Sequence, residues 1–427
     1  MQLEERDYFT DRVVLKDPYD YFAELFSRDP LYQPKLRDVM FVTGFEEANE
    51  ILRNAQDFSS VIAVTGAAVP LPFEPVGDDI SEQIEKHRHE VSGSDILVTY
   101  DGARHTANRS LLNSLFVPSR LKANQAFMEE LAEKTVLDVV AKGKCELIKD
   151  VAVPYVTLVI ADLLGVPADD RESFKEVIAA GPPPGNIDAE ERPHSNSVLD
   201  HLARHFVGYV QDRRANPRAD VLTQLANAKY PDGTTPELSA IVGAAVFLFA
   251  AGQDTSAKLL GNCLRVLTED KALQKQLRDD RSQVAGFIEE VLRLQGSTKV
   301  TFRVARKKMK VAGREIAAGQ KFVIALSAAN RDPRRWEDPN EFKLGRKKIQ
   351  EHLAFGRGAH TCIGAPLARA EIKVLLERLL EHTSDISLSV EKHGPPENRR
   401  LDYEASFIIR GLENLHLELK PSVGGKS

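Results

Sequence analysis

The 427-residue sequence predicts a mainly α protein with minor β, built as a single large domain around one long central helix. Apolar residues recur at helical spacing over most of the chain from Asp101 onward. Period-two alternation is confined to a few short runs, and no internal repeat or low-complexity linker divides the sequence. With 42% hydrophobic residues the chain can build an ordinary core, which excludes global disorder.

In chain order, a strand-like run at 39–43 is followed by a helical one at 46–54. Residues 59–93 form a polar stretch with Pro70, Pro72, Pro75 and a charged segment at 82–90, an insertion of the kind expected to be functional or mobile. Leu111, Leu112, Leu115 and Phe116 repeat at helical spacing until Pro118 stops the run. Helices through 127–140 and 156–164 follow, and Gly181-Pro-Pro-Pro-Gly185 breaks two helical stretches. The longest helix is predicted from Thr235 as N-cap and Pro236 as first helical residue to about Leu267, roughly 45 Å at 1.5 Å per residue. Its first half is apolar on every face, which places it through the protein centre. Strands near 301–304 and 321–326 precede a last helix at 366–382.

Charge and cysteine usage exclude several functions. Fifty-seven Lys and Arg against 63 Asp and Glu give a net charge of −6, so there is no basic excess for nucleic acid. Arg306-Lys-Lys-Met-Lys310 reads as a solvated edge strand. The longest uncharged apolar stretch, 238–253, is shorter than the roughly 20 residues of a membrane span. The N-terminus is charged from its fourth residue, so neither a signal peptide nor an anchor is expected. Cys145, Cys263 and Cys362 are scattered, against a disulfide framework or a CxxC zinc site, and fit a reducing cytoplasm. His87 and His89 have the spacing of a metal pair on a strand but lie in a charged loop without a third ligand.

One cysteine has a distinctive setting. In Phe355-Gly-Arg-Gly-Ala-His-Thr-Cys362-Ile-Gly364, three glycines surround Cys362 just before a helix. The glycines permit a tight turn and close approach of a flat partner. Loop N–H groups and the helix N-terminus are expected to favour a thiolate. A lone thiolate is a poor zinc site but suits iron held in plane by a porphyrin. Phe355, Gly356, Gly358, His360, Cys362 and Gly364 together match FGxGxHxCxG, and by this signature the chain resembles the cytochrome P-450 family.

The resemblance extends over most of the chain. It implies haem b as cofactor, with Cys362 as axial iron ligand and Phe355 and Gly356 beside the ring. His105 and Arg109, at i,i+4 on one helix, match the family's HxxxR; with Arg303 and His360 they are expected to hold the haem propionates. Arg303 alternates against Phe302 and Val304, so its side chain points away from theirs. Asp254-Thr255 on the central helix matches the acid–alcohol pair that admits dioxygen and relays protons. The Thr255 hydroxyl is expected to bond the Ala251 carbonyl and open the helix ladder. Glu290-Val-Leu-Arg293 matches ExxR, and Arg346 is expected to complete a structural Glu–Arg–Arg network. The sequence departs from many relatives in lacking a proline between ExxR and Arg303. Lys299 is unusual there, and is expected to point outward or pair with an acid.

The resemblance implies a cytoplasmic monooxygenase that inserts one oxygen atom from O2 into a C–H bond of a small lipophilic substrate. A separate ferredoxin or flavodoxin would supply electrons through a basic surface at Lys347, Lys348, Arg357, Arg369 and Lys373. Phe247, Ala250, Ala251, Val300 and Ile408 are the expected substrate walls. No nucleic-acid or membrane partner is expected. A peroxide-driven peroxygenase or a non-catalytic haem sensor or carrier are the alternatives, and neither needs the Asp254-Thr255 pair.

Overall fold

A computed structural model describes residues 6–179 and 195–422. The Gly181–Gly185 break lies outside the described residues. The first part carries α1 (Arg12–Lys16), α2 (Tyr19–Arg28), β1 (Leu31–Tyr32), β2 (Val39–Val42), α3 (Phe45–Arg53), β3 (Phe58–Ser59) and α4 (Ser81–His87). A helical body follows: α5 (Gly102–Ser110), α6 (Pro118–Lys142), α7 (Val153–Leu164), α8 (Arg171–Ala179), α9 (Ser195–Ala215) and α10 (Val221–Ala226), with β4 (Lys144–Glu146) after α6. Then come α11 (Leu238–Glu269), α12 (Lys271–Asp279) and α13 (Val284–Gln295). The last part contains β5 (Thr301–Ala305), β6 (Met309–Val311), β7 (Arg314–Ile316), β8 (Lys321–Ile324), α14 (Leu326–Ala329), α15 (Ala365–His382), β9 (Thr383–Leu388) and β10 (His416–Pro421). The predicted fold class, mainly α with minor β, is the observed one.

The central helix α11 is 32 residues long and packs against α7, α9, α13 and α15. It has the length and hydropathy of a membrane span, but its apolar residues serve the interior of the helical core. It begins at Leu238, not Pro236, because Glu237 is extended (φ −58°, ψ 151°). The Thr235 hydroxyl is taken by Lys229 and the Pro236 carbonyl by Arg214, at 2.9 Å, so neither is free to start the helix. Similarly, the run at 111–116 is a turn followed by a 3₁₀ helix at Asn113–Phe116, and Pro118 opens α6 at a position where its missing N–H costs nothing.

The main sheet has the order β1-β2-β8-β5-β3, with β2 and β8 parallel and the other pairs antiparallel. One face (Phe41, Phe302, Val304, Val323) packs on the N-terminal helices, and the other (Met40, Phe58, Phe322, Ile324) on α3. The insertion at 59–93 is partly helical and firmly tied. The buried Asp101 carboxylate accepts from Ser59 Oγ (2.6 Å), the Ser60 N–H (2.9 Å) and Arg88 Nη2 (2.7 Å), and pairs with Arg306 at 2.7 Å. His87 bonds Glu90 at 2.7 Å, and no cluster of three metal-ligating side chains occurs among the described residues.

Lys299 corrects a second expectation. It neither points outward nor pairs with an acid; it is fully buried, and its ammonium donates to the carbonyls of Leu15 (2.6 Å) and Ser406. Burial, with Arg410 nearby, pushes it down to about 7. Arg410 donates to the Lys16 carbonyl, so two cations from distant chain segments satisfy the C-terminal carbonyls of α1. The Tyr8 hydroxyl donates to the Phe407 carbonyl at 2.8 Å, closing the same seam.

Candidate active site

A cavity of about 300 Å³ lies between the central helix, α5, β5 and the cysteine loop. The loop is shaped by its own backbone. The Cys362 N–H donates to the Phe355 carbonyl at 2.9 Å, and Gly358 sits at φ +71°. A Cβ at Gly358 would lie 2.4 Å from the Leu52 carbonyl oxygen, so only glycine lets the loop lie this close to α3. Arg369 stacks over Phe355 at 4.6 Å and pairs with Glu289, which also meets His352 at 3.1 Å.

The Cys362 side chain opens into the cavity, which also receives Phe355, Gly356 and His360. Burial pushes its thiol up, and the Gly364 and Ala365 N–H groups with Arg109 pull it back only in part. The expectation that the loop by itself favours a thiolate is therefore corrected: desolvation outweighs the N–H dipoles, and a bound cation has to supply the rest.

Cations gather at one end. Arg109 donates to the Thr361 carbonyl at 2.7 Å. Arg303, 4% exposed, donates to Phe302 O (2.7 Å) and Thr301 Oγ1 (3.2 Å). Burial, opposed by Asp101, holds it at about 10. The His105 and His360 rings lie 4.0 Å apart, and His360 Nε2 is 3.1 Å from Ser60 Oγ. Burial, reinforced by Arg303, His105 and Arg109, pushes His360 down to about 2. Neither arginine has a carboxylate partner among the described residues. A buried guanidinium without a counter-charge is costly, so this end fits a ligand bearing its own carboxylates. A flat, iron-holding dicarboxylate such as haem fits both this end and the thiol.

The opposite wall is α11. Phe247, Ala251 and Thr255, spaced by four, line the cavity. The Thr255 hydroxyl donates to Ala251 O at 3.0 Å and reaches Gly252 O at 3.5 Å. Asp254 is half-buried and sits off this stripe, paired with Lys258 at 3.0 Å. Three expected wall residues do not reach the cavity. Ala250 lies on the Asp254 side of the helix. Strand alternation sends Val300 with Phe302 and Val304 into the sheet core. Ile408 packs against that core, and its carbonyl accepts from the Lys299 N–H at 2.8 Å.

Away from the cavity, Glu290 receives Arg293 (2.7 and 2.9 Å) and Arg346 (3.0 and 3.2 Å), with all three side chains buried. The cavity also holds a residue that the sequence reading passed over. Glu371 on α15 is 1% exposed, one carboxyl oxygen lacks a partner, and burial pushes it up to about 8, against a hydrogen bond from Ser256. A lone acid on the apolar face Leu367–Ala368–Ile372 was the available signal.

Comparison with known proteins agrees with this geometry. The family model described as Cytochrome P-450 matches residues 191–400. A cytochrome P-450 109 of Bacillus spizizenii is 28% identical over 407 residues, 94% of this chain and 92% of its own. The substrate-free structure of Mycobacterium marinum cytochrome P-450 CYP150A6 is 44% identical, with a TM-score of 0.93 over 99% of this chain and all of that one. A Bacillus megaterium relative solved with corticosterone has 26% identity and a TM-score of 0.79, covering 95% and 98% of the two chains. Haem-thiolate monooxygenases thus share this chain's fold over its whole length, and the chain belongs to the cytochrome P-450 family.

Proposed function

We propose that the protein hydroxylates a C–H bond of a small lipophilic molecule, using O2 and electrons from a separate ferredoxin or flavodoxin in the cytoplasm, with the whole chain acting as one domain. The observation that carries this reading is one cavity lined by Cys362, by Thr255, and by Arg109 and Arg303, neither of which forms an ion pair with a carboxylate among the described residues. When bound there, haem supplies the chemistry of dioxygen activation and oxygen insertion. Cys362 would hold its iron through sulfur. Arg109, Arg303, His105 and His360 would hold its carboxylates, the histidine at 360 as a neutral ring, and Gly356 would leave room beside Cys362. Phe247 and Ala251 wall the substrate and exclude water. The Thr255 hydroxyl, bonded to the Ala251 carbonyl, would hold the reacting oxygen side of the cavity, and Asp254 would deliver protons toward it. Glu290, Arg293 and Arg346 fix the loop from behind.

Lys347 and Lys348 are exposed near the loop, and Arg357, Arg369 and Lys373 flank them. They form the docking face for an acidic electron donor. The test of the reading is the carbon-monoxide spectrum of the reduced protein. The native chain is expected to show the thiolate-type red shift and Cys362→His to lose it; a native protein without that shift sinks the reading. Substrate-dependent NADH consumption with a ferredoxin system then separates a monooxygenase from a peroxide-only enzyme or a carrier.

A further inference from the structure

Lys258 follows Asp254 by one helical turn and has a side chain only 4% exposed. Its Nζ lies 3.0 Å from Asp254 Oδ1 and 2.6 Å from both carboxylate oxygens of Glu404. The other Asp254 oxygen, Oδ2, is buried without a hydrogen-bond partner. Glu404 is fixed by its N–H, which donates to the Gly411 carbonyl at 3.1 Å. Gly411 in turn lies flat on the lysine stem: a Cβ there would stand 2.3 Å from Lys258 Cδ. The three groups form one continuous line from the segment after α15, through the central helix, to the residue beside Thr255. Two carboxylates around one ammonium leave a net negative charge in a mostly desolvated place, an arrangement that binds a proton.

We propose that Glu404 and Lys258 are the supply end of the proton path, passing protons from solvent to Asp254. This rests on the reading of Asp254 and Thr255 as the delivering pair. One N–H bond of the Lys258 ammonium first breaks as an O–H bond forms on Asp254, which leaves Nζ a lone pair; the Glu404 O–H bond then breaks as an N–H bond forms on that lone pair. The lysine begins and ends with three protons, and no electrons move. Glu404, 15% exposed at its side chain, regains its proton from solvent. Electrostatics support this order. Burial raises Glu404 above the usual carboxylate range, with Asp254 and Glu413 adding to the effect and Lys258 opposing it. Burial works against the Lys258 ammonium, but Asp254 and Glu404 outweigh it and keep it charged. The other cation facing Glu404 is Lys299.

A purely structural clamp would need the same contacts, so the test must read protons. In the haem-loaded protein, Glu404→Gln is expected to lower turnover roughly tenfold or more, to enlarge the solvent isotope effect and to divert electrons into released hydrogen peroxide. Glu404→Asp, which keeps an ionisable group, is expected to hold all three near native values. A spectroscopic readout is independent of turnover. In a Glu371→Gln background, which removes the other raised carboxyl, infrared titration should show a protonated-carboxyl band above the ordinary glutamate range that Glu404→Gln abolishes. A folded Glu404→Gln protein with native isotope effect and native peroxide release overturns the relay, even if its melting temperature falls. If Glu404→Gln does not fold, absence of that band from the Glu371→Gln protein overturns it. A native protein lacking the thiolate-type spectrum, or an Asp254→Asn variant with unchanged turnover, instead refutes the reading on which the relay rests.

Discussion

Glu371 shows burial setting the protonation of a single residue. Its carboxyl is raised from 4.5 to about 8 by desolvation, so the folded chain holds a proton that the unfolded chain releases. The unfolded state binds fewer protons between these values, so the stability that the protonated form confers is complete below about 4.5 and is lost as pH rises toward 8. Glu371→Gln keeps a neutral group of the same shape at every pH. Its urea midpoint relative to the native chain is expected to climb between pH 5 and 8, by an amount on the order of 1.4 kcal/mol per unit at most. A difference that does not change with pH would contradict this. At this scale the sequence was readable wherever one motif carried both residue and partner, as with Cys362 and its loop, or Glu290 with Arg293. The direction of Arg303 was readable through alternation, and its expected role only through the resemblance. Lys299 was not, since its partners lie 284 and 107 residues away and are backbone carbonyls that no side-chain pattern announces. The wall residues Val300 and Ile408 failed for a related reason: apolarity marks burial, but not against what.

Among the elements, the cysteine loop depends most on geometry outside itself. Gly358 combines a positive φ with a backbone oxygen 2.4 Å from where a Cβ would stand. Gly358→Ala must therefore move either the loop or the end of α3, at a cost of about 2 kcal/mol or more. Thermal unfolding and the haem-to-protein ratio are expected to fall together. A variant that melts as the native chain and keeps full haem would show that the loop and α3 can separate freely. Helix existence was legible from periodicity for α3, α6, α7, α11 and α15, and the ends were not. The start of α11 moved from Pro236 to Leu238 because Lys229 and Arg214, on other segments, claim the capping groups. The run at 111–116 shows the same limit, since apolar spacing alone does not separate an α-helix from a 3₁₀ turn.

For the molecule as a whole, charge and topology diverge in how far they can be read. The net charge of −6 says nothing of local surfaces: near the cysteine loop Lys347 and Lys348 are exposed, while Arg369 is engaged by Glu289. Charge reversal at Lys347 and Lys348 together is expected to slow reduction by an acidic donor and to flatten its dependence on ionic strength. Stopped-flow reduction at several salt concentrations checks this, and unchanged rates would place docking elsewhere. Fold class was legible because it sums over many local patterns. The parallel pairing of β2 with β8 was not, because it joins residues 39–42 to 321–324 and parallel partners leave no turn between them.

The seam around α1 bears on how the chain is made. Lys299 and Arg410 satisfy the last carbonyls of α1, and Tyr8 reaches the carbonyl of Phe407. On the ribosome, the N-terminal arm emerges long before any of these acceptors and donors exist. It stays undocked until Lys299, Phe407 and Arg410 have followed it out, about 280 to 400 residues later, so its closure is a late step of folding.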